Sequence, residues 1–281
     1  MKVARYYSQT DIRYEDEPVP EIGSDEALVK MKACGICGSD LMDWYLKDRA
    51  PLVLGHEVAG VVAKVGSDVG DFREGDRVFV HHHVPCLICH HCIRGAFTMC
   101  EQFKRTHIYP GGFAEYFRVP APNLKIDTLK LPDSLSFEDA TLIEPTACCI
   151  KALNKCNIRQ GDVVVVVGAG PSGAIHTLLL RNFGVSRIIV SDLIEYRLKI
   201  AERLGADVVI NAERENFAER VMRETDGRGG DVVVVTAPTI PAILSGFEAC
   251  SKGGTLCIFA PTSPEKYLQL SPYKLFFSEI T

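Results

Sequence analysis

The chain has 281 residues, 47% of them hydrophobic, with 31 basic and 36 acidic side chains and a net charge of −5. That length suits two domains, each able to bury a core, and the acidic balance gives no electrostatic case for nucleic acid or an anionic membrane. The N-terminus, MKVARYYSQTDIRYEDE, lacks an apolar signal core, and no apolar run approaches the roughly 20 residues that span a bilayer, so a cytoplasmic location is expected. Eleven cysteines, an odd count with four inside fifteen residues, fit a secreted disulfide framework poorly and point to metal ligation.

Residues 1–150 carry short β-branched runs between frequent glycines and prolines, with strands expected at 27–32, 57–65 and 76–80. This reads as a β-rich, barrel-like domain. Within it, Cys34-Gly35-Ile36-Cys37-Gly38-Ser39-Asp40 puts a cysteine in a glycine-rich turn. Gly55-His56-Glu57 enters a strand 19 residues after Cys37, and Leu142-Ile143-Glu144-Pro145 stands at the domain's end. Taken singly, these are a core thiol, a satisfied histidine and a helix-start carboxylate. Together, Cys, His and Glu make the mixed donor set of a catalytic zinc, with three protein ligands and one open position. Their convergence in space does not follow from the spacing.

His81-His82-His83 ends a strand. An ordinary structural role fits all three, and a place for one of them at the cofactor cleft is the sharper alternative. Next come Cys86, Cys89, Cys92 and Cys100, spaced C-x2-C-x2-C-x7-C. Four thiolates gathered by tight turns suit a closed, structural tetrahedral zinc; an iron–sulfur cluster or free thiols are the competing readings. His90 and His91, between the cysteines, are expected to face solvent.

From Gly161 onward the pattern turns to β-α-β alternation, with strands expected at 163–167, 187–191, 207–210, 231–236 and 255–260, after a linking helix at 145–156. Five consecutive valines, Val163–Val167, read as a strand buried on both faces of a parallel sheet. Gly168-Ala169-Gly170-Pro171-Ser172-Gly173 follows as G-x-G-x-x-G and opens an apolar helix. A second β-branched run ends at Asp192, 19 residues after the last glycine. Gly168 would make the tight turn, Gly170 admit a pyrophosphate, and Gly173 let helix and strand close up. The helix N-terminus, starting at Pro171 and Ser172, supplies N–H groups and a positive dipole end to the phosphates. Asp192 would accept from the ribose hydroxyls, favouring NAD. Arg197, five residues on, is either a solvated helix residue or a partner for the 2′-phosphate of NADP.

The set GICGSD, GHE, the four-cysteine lobe, the IEP turn and GAGPSG resembles the zinc-dependent medium-chain alcohol dehydrogenases, nearest the sorbitol, threonine and butanediol dehydrogenase branch. It runs from about residue 24 to the end. The resemblance implies an α/β two-domain fold. A GroES-like zinc-binding catalytic domain (1–150) would precede a doubly wound, parallel-sheet Rossmann domain (151–281), with the active site in the cleft between them. It further implies that Cys37, His56 and Glu144 bind catalytic zinc, with Glu57 an alternative or supporting ligand. Cys86, Cys89, Cys92 and Cys100 would hold a structural zinc, and Ser39 would relay the proton. Glu144 stands where other alcohol dehydrogenases use cysteine.

Two departures matter. Met42 occupies the position where polyol and threonine dehydrogenases usually carry a relay histidine, leaving Asp43 or water as substitutes. The family's chains also continue fifty to sixty residues further, which implies a C-terminally truncated form, ending as it enters a sixth strand, with an exposed sheet edge. The expected function is NAD(P)-dependent oxidation of a secondary alcohol, on a polyol, sugar-like compound or amino alcohol, in a homo-oligomer, dimer or tetramer. The alternatives are a zinc-independent quinone or enoyl reductase and a non-catalytic nucleotide-binding paralogue. Trp44, Tyr45 and Phe113 are candidates for the substrate pocket.

Overall fold

In the computed structural model, which describes residues 1–281, the chain divides into two units, Met1–Glu144 and Pro145–Thr281. The division lies in the first turn of the helix Ile143–Lys155, near the linking helix expected at 145–156.

The first unit holds strands β1 (Lys2–Ser8), β2 (Asp11–Asp16), β3 (Ala27–Gly35), β4 (Leu52–Val53), β5 (Glu57–Val65), β6 (Arg77–His81), β7 (Tyr116–Val119) and β8 (Thr128–Lys130). Five pair antiparallel in the order β7-β3-β5-β6-β8, and the smaller sheet runs β2-β1-β4. Val29, Val58, Val62, Val78, Val80 and Phe117 form the core of the larger sheet. One detail of register positions the site. Gly35 pairs with Glu57, and Glu57 pairs with His81, so the end of β3, the start of β5 and the end of β6 meet in one row.

The second unit is a parallel sheet of β9 (Val163–Val167), β10 (Arg187–Asp192), β11 (Val208–Asn211), β12 (Gly230–Val235) and β13 (Cys250–Ile258), in the order β11-β10-β9-β12-β13. Central β9 explains its valines. Alternate side chains point to opposite faces, and Val163, Val165 and Val167 join one core with Ile189, Phe217 and Ile243. Val164 and Val166 join another, with Leu153, Leu180 and Ile188. This is a doubly wound sheet, and the strand order reverses at β9, where such sheets open a crevice at their carboxyl ends.

β13 begins at Cys250, five residues before the expected start at 255. The extra residues, Gly253-Gly254 among them, form a bulge: Cys250 pairs with Gly230 and Thr255 already with Val232. On the other side of β13, Thr281 donates to the Gly254 carbonyl and accepts from the Leu256 N–H, the slanted pattern of a parallel pair. No helix is long and apolar enough to cross a membrane.

Candidate active site and metal centres

The four-cysteine lobe assembles from its own turns. Sγ atoms of Cys86, Cys89, Cys92 and Cys100 lie within 4.8 Å of one another, with Cys86–Cys92 at 3.9 Å and Cys89–Cys92 at 3.5 Å. Tetrahedral zinc with sulfur ligands needs Sγ atoms about 3.8 Å apart, so the donor set fits the ion. Cys92 and Cys100 are buried, and the Cys86 N–H donates to Cys100 Sγ at 3.3 Å. That bond leads the causes holding the Cys100 thiol below its usual pKa, whereas burial leads those pushing Cys92 up. His90 and His91 are exposed.

The mixed site comes from the row of strand ends. Cys37 caps the short turn Gly38–Leu41, its Sγ accepting from the Ser39 N–H at 3.5 Å and its own N–H donating to Asp40 Oδ2 at 3.0 Å. The other Asp40 oxygen lies 3.6 Å from His56 Nδ1, so one buried carboxylate orients both a thiol and an imidazole. Donor atoms of Cys37, His56 and Glu57 lie within 4.8 Å of one another. Glu57 reaches that position across Gly35, where a Cβ would overlap its carboxylate. Thiolate, imidazole and carboxylate suit zinc, whose tetrahedron sets such donors roughly 3.3–3.8 Å apart.

The resemblance implied Cys37, His56 and Glu144 with Glu57 as an alternative, and the structure gathers Glu57 with the first two. Glu57 stands with Cys37 and His56, because it follows His56 directly and pairs with Gly35. Glu144 sits beside the cluster, its Oε1 4.0 Å from His81 Nε2. Its charge still reaches the group, adding to the burial that raises the pKa values of Cys37, Asp40 and Glu57.

A cavity of about 820 Å³ opens in the first unit beside this cluster, with Ser39, Asp40, His56, His82 and His83 in its wall. Tyr45 lines it too, whereas Trp44 and Phe113 do not; Phe113 packs against Val3, Val53 and Ala114. The histidine run is not bland. His82 packs on His56 at 4.8 Å and on His83 at 3.8 Å, and His83 faces His107 at 5.4 Å. His82 Nδ1 is buried without a partner. Burial lowers the pKa of His82 and takes His83 to about 4, so both are neutral at pH 7. Asp43 is already engaged, accepting from the Tyr6 hydroxyl at 3.1 Å. Sequence reasoning missed Asp40 and offered a cleft place to only one of the three histidines, whereas His82 and His83 both line this cavity. Asp40 had a signal, standing three residues after Cys37 where a carboxylate caps a turn, but nothing in the sequence tells which of three histidines faces inward.

In the second unit the glycine loop behaves as its spacing predicts. Gly168 adopts φ +104°, and a Cβ on Gly173 would overlap the Gly168 carbonyl oxygen. Gly170 precedes the helix Pro171–Leu180, which no side chain caps, and the nearest atom to a Cβ there is Arg197 Nη1 at 4.0 Å. Asp192 ends β10. Its oxygens accept from the Ala169 N–H at 2.7 Å and the Ile194 N–H at 2.9 Å, and Arg197 lies 3.7 Å away. Each carboxylate oxygen keeps a lone pair for a ribose hydroxyl. These residues fit a dinucleotide.

Known proteins share this architecture. Residues 23–133 match the alcohol dehydrogenase GroES-like domain and residues 171–281 the zinc-binding dehydrogenase family. A sorbitol dehydrogenase of Bacillus subtilis is 37% identical over 267 residues, covering 92% of this chain and 74% of that one. A probable D-xylulose reductase A of Aspergillus clavatus is 35% identical over 87% of this chain and 71% of that one. A putative zinc-binding dehydrogenase of Sinorhizobium meliloti, solved bound to NADP, aligns with a TM-score of 0.88 at 28% identity, over 99% of this chain and 82% of that one. The chain belongs to the zinc-dependent medium-chain alcohol dehydrogenases, and its two units are that family's GroES-like and Rossmann domains. It is an oxidoreductase of the alcohol and polyol type.

Proposed function

We propose that this chain holds two zinc ions, one catalytic and one structural, and oxidises the secondary alcohol of a polyol or sugar-like substrate to a ketone, using NAD in preference to NADP. The observation that carries this reading is the gathering of Cys37, His56 and Glu57 donors within 4.8 Å, beside a cavity whose wall includes His56 and Ser39. Three donors leave one tetrahedral position for a substrate oxygen. The names of the Bacillus subtilis and Aspergillus clavatus relatives support a polyol substrate.

When bound, zinc supplies Lewis acidity at the alcohol and the dinucleotide supplies the hydride acceptor. Cys37, His56 and Glu57 would hold the metal, with Glu144 as a neighbouring carboxylate whose charge would favour a cation there. Asp40 fixes the directions of Cys37 and His56. The Ser39 hydroxyl takes the substrate's proton and passes it outward. Cys86, Cys89, Cys92 and Cys100 hold the second zinc and leave no open position. Gly168 makes the turn, Gly170 admits the pyrophosphate to the helix start at Pro171 and Ser172, Gly173 lets helix and strand close up, and Asp192 accepts from the adenosine ribose. Arg197 lies against Asp192 and gives a 2′-phosphate some support. The reading extends to a homo-oligomer in the cytoplasm. An odd count of eleven cysteines, four of them gathered as one donor set, suits a reducing compartment, and the exposed aromatics Tyr273, Phe276 and Phe277 suit a subunit contact.

The test is zinc per chain together with reduction of NAD and NADP over sorbitol, xylitol, 2,3-butanediol and threonine. Two zincs with polyol turnover are expected. One zinc without turnover would make the chain a binding protein and overturn the reading.

A further inference from the structure

The cavity beside the mixed donor set is cationic, although the chain carries a net charge of −5. Its walls hold Arg49, Lys104, Arg105 and Arg118 against the single carboxylate of Asp40, and that carboxylate is already bound to the Cys37 N–H and set against His56. Two of the four cations have carboxylate partners, Arg105 with Glu101 at 3.1 Å and Arg118 with Glu26 at 3.8 Å. Even so, Arg118 Nε is buried and donates to nothing. Arg49 and Lys104 have no carboxylate partner.

Arg49 is fixed all the same. Its Nε and Nη2 donate to the Tyr45 carbonyl at 3.2 and 3.0 Å, and its guanidinium lies 3.9 Å over the Tyr45 ring. A guanidinium anchored on one edge keeps its remaining N–H groups for a planar anion, with its position already set. The neighbouring His83 adds polar surface but no charge at pH 7. A neutral polyol gains little from Arg49 and Lys104, which no carboxylate compensates, whereas a phosphate or carboxylate is drawn in and oriented by them.

Resting on the dehydrogenase reading of this same site, we infer that the substrate is an anionic polyol, whose secondary alcohol meets the Cys37, His56 and Glu57 donors while a phosphate or carboxylate group is held by Arg49 and Lys104. A cavity of about 820 Å³ is of the size that small-molecule sites use, roughly 300–1,000 Å³.

Calorimetric titration of the zinc-loaded protein with glucitol 6-phosphate, gluconate and glucitol tests this. One of the two anions should bind at least about tenfold more tightly than glucitol, as charge-assisted contacts imply, and which one wins identifies the anionic group. Raising the salt concentration should shrink the difference. In the double variant Arg49→Met, Lys104→Met, the preference should fall below about threefold. Both side chains are exposed, and circular dichroism checks that the fold is kept. Equal affinity for anions and glucitol, or a preference that survives in the double variant, overturns the inference. Because binding is read without turnover, failure to oxidise any polyol would defeat the dehydrogenase reading and still leave this inference decided.

Discussion

The two cysteine-containing donor sets of the first unit are built by opposite means. The four-thiol lobe draws every donor from residues 86–100, folds them together with short turns, and stabilises one thiolate through a backbone N–H. The mixed set takes Cys37 from the end of β3, and His56 and Glu57 from the start of β5, and joins them by strand register. Its acids are buried, and burial raises Cys37, Glu57 and Asp40 alike. On the proposed reading, a closed local set would hold metal for the fold's sake, and an open set drawn from distant segments would leave a position free for chemistry.

The comparison breaks most visibly at Cys37. Cys37→Ala should cut turnover by at least about a thousandfold, since loss of the Lewis acid removes several kcal/mol of transition-state stabilisation. A variant retaining full rate in a steady-state assay would separate Cys37 from the chemistry. Asp40→Asn should lower zinc affinity at the mixed set or kcat by about 10–100-fold, the usual consequence of losing the group that orients a ligand. Competition with a zinc chelator reads this, and an unchanged affinity would mean that His56 and Cys37 are held without Asp40.

Cys100→Ser should act on stability instead. Loss of the lobe's ion should lower stability by about 2 kcal/mol or more, a Tm fall of roughly 4–8 °C, while the freshly folded protein keeps its activity. Differential scanning calorimetry checks it. The smallest effect is in pH. Protons compete for Cys37 and Glu57 at higher pH than usual because their pKa values are raised. In the lobe the shifts oppose one another, Cys100 down and Cys92 up. Acidification from about pH 8 to about pH 5.5 with chelator present should therefore release the mixed-set zinc, with activity falling in step. Zinc retained at the mixed set over that range would contradict the raised values.

The same contrast explains what could be read in the sequence. The lobe was legible because its ligands lie within a few turns of chain, where spacing limits geometry. β9 and the glycine loop were legible because a valine run and a fixed glycine spacing each carry a local physical requirement. The mixed set was only half legible. Its residue types were evident, but whether Glu57 or Glu144 stands beside Cys37 depends on the pairing of Gly35 with Glu57. No local pattern encodes that register. The inward turn of His82 and the bulge in β13 were hidden for the same reason, since neighbouring strands fix both.

The most direct test of the account is zinc content with X-ray absorption at the zinc edge, on the wild type and on Cys37→Ala. The account predicts two zincs in the wild type, with mixed sulfur, nitrogen and oxygen ligation. In the variant it predicts one zinc with four sulfur neighbours at about 2.3 Å. Two zincs in the variant, or a single four-sulfur zinc in both proteins, would contradict it.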